Sequence, residues 1–451
     1  MKFVEKMENV LMPIAKVVSE NKYLIAIRDG FLVTMPLLII GSFFMLISNF
    51  PIQAWMDLMS SITVAGTSLS AIFGVASTAT FSIMAIFAVM GIGYNFSRNI
   101  GVNPLHGAAI SMVAWFMLMP MYTMYTPAGA AEAVKVSSVP FDWIGTKGLF
   151  IGIISVFLSL NIYKKIEDKG WVITMPAGVP PTVGQSFSTL IPAAIVMIVF
   201  MVIHVVFLFT PWGNAFEFVF RFLQLPLQNV GDSVGAMLAV YLFAHILWGF
   251  GIHGTNITDT VVVPILYALS AENLAALQAG QALPHVINKQ FMDLFATYGG
   301  GGSTLSLLIA ALLFCKSERI KGLSKLSILP ACFGINEPVI FGLPIVLNPT
   351  ILVPFIFVPL FNIAVTYLVM SIGLVPICNG IFMPWTTPPV VSGFLSSGVM
   401  GAIFQVIMIA VGTLIYMPFI KSVDNQYLSE EKESAGEAGG TSLDDLSAED
   451  L

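Results

Sequence analysis

The fold of this chain is decided at residues 333–344, which read FGINEPVIFGLP. A single carboxylate, Glu337, lies there in an apolar run that is broken by two glycines and two prolines. Proline removes a backbone donor and glycine favours turns, so we expect Glu337 on a non-helical turn. In a membrane such an acid costs at least about 2.5 kcal/mol, and it indicates a functional site facing a ligand-sized chamber.

The composition of the whole chain supports a membrane setting. Its 451 residues are 57% hydrophobic and 10% charged, whereas soluble domains carry about 25% charged residues. From Asp424 onward there are nine acids and one lysine (net −8), which leaves 16 acids and 18 bases (net +2) before it. We therefore predict a polytopic membrane protein with a disordered acidic cytoplasmic tail at residues 422–451.

Hydropathy predicts about ten transmembrane helices, each needing about 20 mostly apolar residues. Nine segments qualify, at residues 31–50, 71–96, 105–126, 147–163, 187–210, 234–250, 303–315, 349–371 and 397–420. The tenth crossing comes from 255–300 or from 328–345. Apolar residues at helical spacing between Phe3 and Val18 predict an amphipathic helix on the membrane surface.

Basic residues orient these spans. Basic clusters precede the first span and follow the fourth and seventh, and Arg98 and Lys421 follow the second and ninth, so the positive-inside rule puts both termini in the cytoplasm. An even number of crossings agrees with ten. The predicted fold class is thus an all-α polytopic membrane protein with re-entrant hairpins and amphipathic surface helices.

The two halves of the sequence differ in continuity. Residues 1–230 contain long apolar segments, which predict an N-terminal scaffold half. Residues 231–421 are interrupted by WGFGIHGTN, TYGGGGST, FGINEPVIFGLP and CNGIFMPWTTPPVVSGF. Irregular backbone at membrane depth must be covered by protein or line a polar cavity. We therefore expect the second half to be a transport half with broken helices around a shared site.

Eight residues are candidates for that site. Glu337 and His253, the latter between glycines in GFGIHGTN, are the candidate catalytic and substrate-binding residues. Trp248 and Trp385 lie beside breaks, where an indole can stack on a sugar ring and donate a hydrogen bond. The weaker polar candidates are Asn336, Asn256, Asp293 and Thr386.

Each candidate has a structural alternative. An intramembrane Glu can pair with a base at a helix contact, a lone His can be a satisfied core residue, and Trp is common in the interfacial belt. His106, His204 and His245 are expected to be core residues of this kind. A buried carboxylate among broken helices also fits an H⁺- or Na⁺-coupled secondary transporter with Glu337 as the ion site.

Several chemistries are excluded by missing motifs. No GxxxxGK[ST] loop, GxSxG elbow or HExxH pair occurs, and no cofactor is predicted. TYGGGGST lacks the following lysine and is interpreted as a flexible turn. His253 lies eight residues from His245 and the three cysteines are widely spaced, so no metal site is predicted. No basic surface with interleaved aromatics exists to bind nucleic acid.

Five motifs resemble one family. They are IRDGFLVTMPLLIIGSFF (27–44), MPAGVPPTVGQSFSTLIPA (175–193), LWGFGIHG (247–254), FGINEPVIFGLPIVLNP (333–349) and PWTTPPVVSGFL (384–395). In content and order they are similar to the lactose/cellobiose branch of the phosphotransferase-system sugar permeases, the membrane C subunits found in the bacterial plasma membrane. The resemblance extends from Met1 to Lys421.

The resemblance implies a mechanism and partners. Glu337 and His253 would hydrogen-bond the sugar near the hydroxyl that receives phosphate, and Trp248 and Trp385 would pack against its rings. The chain would not be a stand-alone enzyme. A separate B subunit carrying phosphocysteine, charged by an A subunit carrying phosphohistidine, would phosphorylate C6. The protein would be a homodimer in membrane lipid, with the N-terminal half making the dimer contact and the second half moving like an elevator. Its substrate would be a β-linked disaccharide such as cellobiose, diacetylchitobiose or lactose, with cellobiose-type glucosides favoured.

Overall fold

The computed structural model describes residue 17 and residues 20–48, 50, 52–127, 132–176, 178–343, 345 and 348–440. The predicted surface helix between Phe3 and Val18 lies almost wholly outside them. The helices are α1 Lys22–Ser48, α2 Gln53–Ser61, α3 Leu69–Thr78, α4 Met84–Ile100, α5 Pro104–Leu118, α6 Phe141–Ile144, α7 Leu149–Asp168, α8 Pro181–Leu208, α9 Ala215–Val219, α10 Leu225–Gly231, α11 Val234–Gly249, α12 Gly254–Gln278, α13 Lys289–Phe291, α14 Thr304–Phe314, α15 Glu318–Cys332, α16 Glu337–Gly342, α17 Pro349–Ser371 and α18 Val391–Gly440. Two short antiparallel hairpins complete the secondary structure, β1 Thr63–Val64 with β2 Thr67–Ser68 and β3 Tyr122–Tyr125 with β4 Val134–Ser137.

Apolar helices of membrane-spanning length confirm the all-α polytopic class. Among the described residues, seven helical segments are long and apolar enough to cross a bilayer, and the bent pair Ala215–Gly231 and Val234–Gly249 can supply an eighth. The region 255–300 contains the 25-residue apolar helix α12. Because the region 328–345 contains only the end of α15 and the six-residue α16, the first region is the better source of the remaining predicted crossing.

Two predicted spans differ from the structure. The segment predicted at 71–96 is divided between α3 and α4, and the segment predicted at 105–126 is helical only to Leu118. Beyond Leu118 the chain forms the strand Tyr122–Tyr125, whose Tyr and Thr side chains favour extended backbone. Hydropathy does not separate these strand residues from the preceding helix, because both are apolar.

The chain divides into two compact units. Unit 1 comprises the described residues of Met1–Ala236, Asn256–Lys289 and Cys378–Met383, and unit 2 comprises those of Met237–Thr255, Gln290–Ile377 and Pro384–Leu451. This division does not follow a single cut at residue 230, because α12 belongs almost entirely to unit 1 although it follows α11 in sequence. The scaffold and transport roles of the two halves stay predictions.

In unit 1, α1 and α4 approach closely at a pair of glycines. A Cβ on Gly30 would lie 2.4 Å from Cγ1 of Ile92, and a Cβ on Gly91 would lie 2.6 Å from the carbonyl oxygen of Gly30. Small residues of this kind allow helix backbones in membranes to pack against each other without side chains between them. The glycines therefore set the distance between these two helices.

The C-terminal part of α18 is ordered further than the sequence predicts. The tail is predicted to be disordered from residue 422, but α18 remains helical to Gly440. Asp424 is buried and accepts a hydrogen bond from the backbone N–H of Ser317 at 2.8 Å. The Ser317 hydroxyl in turn donates to Glu431 at 2.6 Å. These acids satisfy backbone donors at the start of α15, a role that composition alone does not reveal.

His285, in the connection between α12 and α13, is bound by two carboxylates of unit 1. Its Nδ1 lies 3.1 Å from Asp232 and its Nε2 lies 2.8 Å from Glu272. Gln228 donates to the other oxygen of Glu272 at 2.8 Å. Burial alone would lower the pKa of His285, but the hydrogen bonds with Asp232 and Glu272 raise it to about 9. The imidazolium is therefore the form that this cluster stabilises at neutral pH.

Replacement of Gly30 by alanine should destabilise the protein, because the new methyl group would overlap Ile92. We expect a loss of about 1–3 kcal/mol, the usual cost of overpacking. Gly74→Ala is the matched control: it also lies in a helix, nothing lies within 4 Å of its Cβ position, and we expect no loss or a gain of up to about 1 kcal/mol. Unfolding in detergent measures both, and equal effects would contradict the close packing of α1 on α4.

The His285 cluster should make stability depend on alkaline pH. The pKa of about 9 in the folded protein exceeds the ordinary value of 6.5 in the unfolded chain. The stabilisation is therefore fully present below about pH 6.5 and is lost as the pH rises through 9. Melting temperature measured from pH 6 to 10 should fall more steeply for wild type than for His285→Gln, and parallel curves would show that the cluster contributes nothing.

Candidate functional site

The glycine turn, defined as residues 299–303, is an irregular backbone segment of unit 2. Gly299, Gly300 and Gly302 have φ values of +80°, +89° and +76°, a region that side chains rarely adopt. Packing also requires glycine at position 302, because a Cβ there would lie 2.1 Å from the ring of Phe355. The sequence TYGGGGST therefore encodes a defined backbone path rather than the flexible turn predicted from its composition.

Three buried side chains hydrogen-bond the backbone of the glycine turn. Nε2 of His245 on α11 accepts from the N–H of Gly302 at 3.1 Å, and the hydroxyl of Tyr416 on α18 donates to the carbonyl of Gly302 at 2.5 Å. Nδ2 of Asn336 donates to the carbonyl of Gly301 at 2.8 Å. A backbone group left unpaired in an apolar interior costs several kcal/mol, so these contacts are needed for the turn to exist at this place.

Trp248 and His253 contact each other near the end of α11. Their ring centroids are 4.2 Å apart, and the ring planes are inclined by 48°. Trp248 is 6% exposed, and its Nε1 has no hydrogen-bond partner within the described part of the chain. The indole adjoins the glycine turn, because a Cβ on Gly301 would lie 3.3 Å from that nitrogen. This pair combines an exposed imidazole with a buried indole whose N–H has no partner among the described residues.

Glu337 lies directly after the break that the sequence predicts. Gly334, with φ of +79°, turns the chain at the end of α15, and Glu337 is the first residue of the short helix α16. The prediction that Glu337 itself lies on the non-helical turn is therefore wrong by one residue, since the turn ends at Asn336. The carboxylate is exposed, has no ion pair among the described residues and lies within electrostatic range of His253.

Trp385 packs against the same break. A Cβ on Gly334 would lie 2.9 Å from Cε3 of Trp385, so the indole lies directly on this glycine. The side chain of Trp385 remains 49% exposed. About half of the surface of Trp385 can therefore contact a ligand. The other half packs on Gly334, two residues before Asn336.

Five of the eight predicted site residues thus form one connected set in unit 2. Asp293, in the π-helical turn Met292–Ala296, and Thr386 are half-buried residues of the same unit. Asn256 is exposed and belongs to unit 1. These three stay predictions.

Sequence reasoning missed His245 and Tyr416. His245 is expected to be an ordinary core histidine, but its Nε2 bonds the glycine turn while its Nδ1 lies 2.8 Å from the carbonyl of Tyr241. One signal was present, since His245 lies on the same helix three residues before Trp248, within HILWGFGIH. Tyr416 lies far along the chain in the apolar part of α18 that follows the kink at Ser397 and Gly398, and nothing in its sequence neighbours distinguishes it.

A family model, two relatives and a solved structure all match this chain to EIIC components of the phosphotransferase system. The family model "Phosphotransferase system, EIIC" matches residues 28–359. The chain is similar to the oligo-beta-mannoside-specific EIIC component of Bacillus subtilis (40% identical, 96% of each chain covered) and to the cellobiose-specific EIIC component of Geobacillus stearothermophilus (38% identical, 96% of each). The crystal structure of ChbC, the IIC component from an N,N'-diacetylchitobiose-specific phosphotransferase system, matches with a TM-score of 0.91 and 40% identity, covering 94% of this chain and 99% of that one.

Because the indole N–H of Trp248 is unpaired, replacing Trp248 by Phe should cost less stability than replacing Trp115 by Phe. Trp115 is also buried, but its Nε1 donates to the carbonyl of Gly148 at 3.2 Å. Trp115→Phe should therefore lose about 1 kcal/mol more stability than Trp248→Phe, which removes a donor without a partner. Unfolding in detergent without ligand measures both. A larger loss for Trp248→Phe would mean that its N–H is already used within the protein.

Proposed function

We propose, from the premise that this chain belongs to the EIIC family of the phosphotransferase system, that it is the permease through which a β-linked disaccharide is taken up and phosphorylated. The connected set of Trp248, His253 and Glu337 carries this proposal. It combines a buried indole whose N–H is unpaired within the described residues, an exposed imidazole and an exposed carboxylate. Sugars are recognised by these three kinds of group, through ring stacking and through hydrogen bonds to hydroxyls.

The presence of two tryptophans among the site residues favours a disaccharide of the cellobiose type. Trp385 packs on Gly334, in the break before Glu337, and Trp248 contacts His253. Each tryptophan is proposed to contact one sugar ring while the carboxylate binds a hydroxyl. Three similar proteins of 38–40% identity are named for oligo-β-mannosides, cellobiose and diacetylchitobiose. All of these are β-linked, and we propose a cellobiose-type glucoside for this chain.

The proposed reaction is phosphoryl transfer to the C6 hydroxyl of the bound sugar. The donor is a phosphocysteine on a separate B subunit, which an A subunit carrying phosphohistidine recharges. The S–P bond breaks, an O–P bond forms, and Glu337 orients the hydroxyl and accepts its proton with help from His253. Holding donor and acceptor in line supplies much of the acceleration. The sugar phosphate is an anion, so repulsion from the Glu337 carboxylate favours its release.

Transport itself is proposed to follow the pattern of the family. The half with broken helices carries the sugar from the outer to the inner side by an elevator-type movement. The N-terminal half forms a homodimer in the lipid of the bacterial plasma membrane. Both termini are proposed to lie in the cytoplasm, where the A and B subunits are. Basic residues before α1 and at the C-terminal end of α7 support this orientation.

Glu337→Gln should abolish sugar phosphorylation, because the amide cannot accept the hydroxyl proton. In vesicles supplied with phosphorylated B subunit and radiolabelled cellobiose, we expect a loss of at least about 100-fold in rate, within the range for general-base catalysis. Glu132→Gln, at an exposed position remote in sequence, should retain the wild-type rate. Near-normal phosphorylation by Glu337→Gln would refute the assigned role.

The same vesicles separate group translocation from ion-coupled transport. We expect uptake to require the phosphorylated B subunit and to continue in the presence of a protonophore, with sugar phosphate as the product. Uptake of unmodified sugar without the B subunit, abolished by the protonophore, would instead favour an H⁺-coupled secondary transporter.

A further inference from the structure

We infer that the glycine turn is a positioning frame for the proposed reaction and that His245 is its principal positioning residue. The inference rests on the proposed function but assigns a role to residues that do not contact the sugar. In this account the frame sets the distance between the aromatic side of the site, Trp248 and His253, and the acidic side, Glu337.

The frame joins the two sides of the site through consecutive peptide groups. Gly301 accepts from Asn336, the residue directly before Glu337, and a Cβ on Gly301 would lie 3.3 Å from Nε1 of Trp248. The next residue, Gly302, is bonded to His245, one helical turn before Trp248. Displacement of this backbone would therefore move the two sides of the site relative to each other.

His245 is suited to hold this backbone in one position. It is fully buried, and its two ring nitrogens are used in opposite senses, since Nδ1 bonds the carbonyl of Tyr241 and Nε2 accepts from Gly302. The first bond fixes the ring on its own helix, and it fixes the tautomer that leaves Nε2 free to accept. The imidazole is thus a rigid link between α11 and the turn.

Side chains from two other helices close the frame. Tyr416 donates to the carbonyl of Gly302, and Asn362 donates to the hydroxyl of Ser303 at 3.0 Å and to the carbonyl of Ala296 at 3.1 Å. Tyr416 and Asn362 are both fully buried. Each contacts a backbone or side-chain atom other than the Gly302 N–H that His245 binds, so we expect the turn to stay folded but less well placed when one contact is lost.

The test compares two substitutions of His245. Glutamine can place an amide oxygen close to the position of Nε2 and accept from Gly302, whereas leucine has a similar size and no acceptor. His245→Leu should phosphorylate cellobiose about 100-fold more slowly than wild type, because misplacement near 1 Å is enough for such a loss. Its Kd for cellobiose should change less than about threefold, since stacking tolerates small shifts, and His245→Gln should recover to within about threefold of the wild-type rate.

Tyr416→Phe gives a second, milder variant in case His245→Leu does not fold. It removes only the donor to Gly302, and we expect a rate reduced about 10-fold with an unchanged Kd, because the remaining contacts still hold the turn. Melting temperatures of all variants are measured in parallel. A rescue by glutamine at equal melting temperature cannot arise from general packing.

The possible outcomes are distinct. Wild-type phosphorylation rates in His245→Leu or Tyr416→Phe, or equal losses of rate and affinity that glutamine does not rescue, would overturn the frame while leaving the permease assignment intact. If wild type itself transfers no phosphate from the B subunit to cellobiose, the proposed function fails, and the frame as a device for that reaction fails with it.

Discussion

The structure of the site depends on one constraint, which is that irregular backbone in an apolar interior must find hydrogen-bond partners inside the protein. The glycine turn at residues 299–303 is the clearest case. His245, Asn336 and Tyr416 bond its peptide groups from three separate parts of the chain. Without these contacts the orphaned groups would cost several kcal/mol each, so the side chains and the turn define each other.

The same constraint places the residues proposed to act on the sugar. The break before Glu337 is stabilised by such a hydrogen bond, because the buried Asn336 side chain donates to the carbonyl of Gly301. Glu337 follows this break immediately, and Trp385 packs on the Gly334 that makes it. The exposed carboxylate is therefore supported by neighbours that are themselves fixed, which is the arrangement that preorganised catalysis requires.

The sequence predicted the class of the fold and the chemical core of the site, but not its support. Glu337 and His253 stand out because polar groups between glycines and prolines are rare in apolar sequence. His245 looked like a core residue, since its partner is a backbone N–H 57 positions away. The strand after Leu118 was missed because hydropathy does not distinguish it from the end of a helix. The helical continuation to Gly440 was missed because an acidic segment can be disordered or helical, and tertiary contacts such as that of Asp424 with Ser317 decide which.

The central claim, that Trp248, His253 and Glu337 together form a disaccharide site, is tested most directly by an experimental structure of the protein with cellobiose bound. The account predicts one sugar ring against the indole of Trp248 and the C6 hydroxyl within about 3.2 Å of a Glu337 oxygen. A disaccharide bound elsewhere, with Glu337 remote from every hydroxyl, would contradict it.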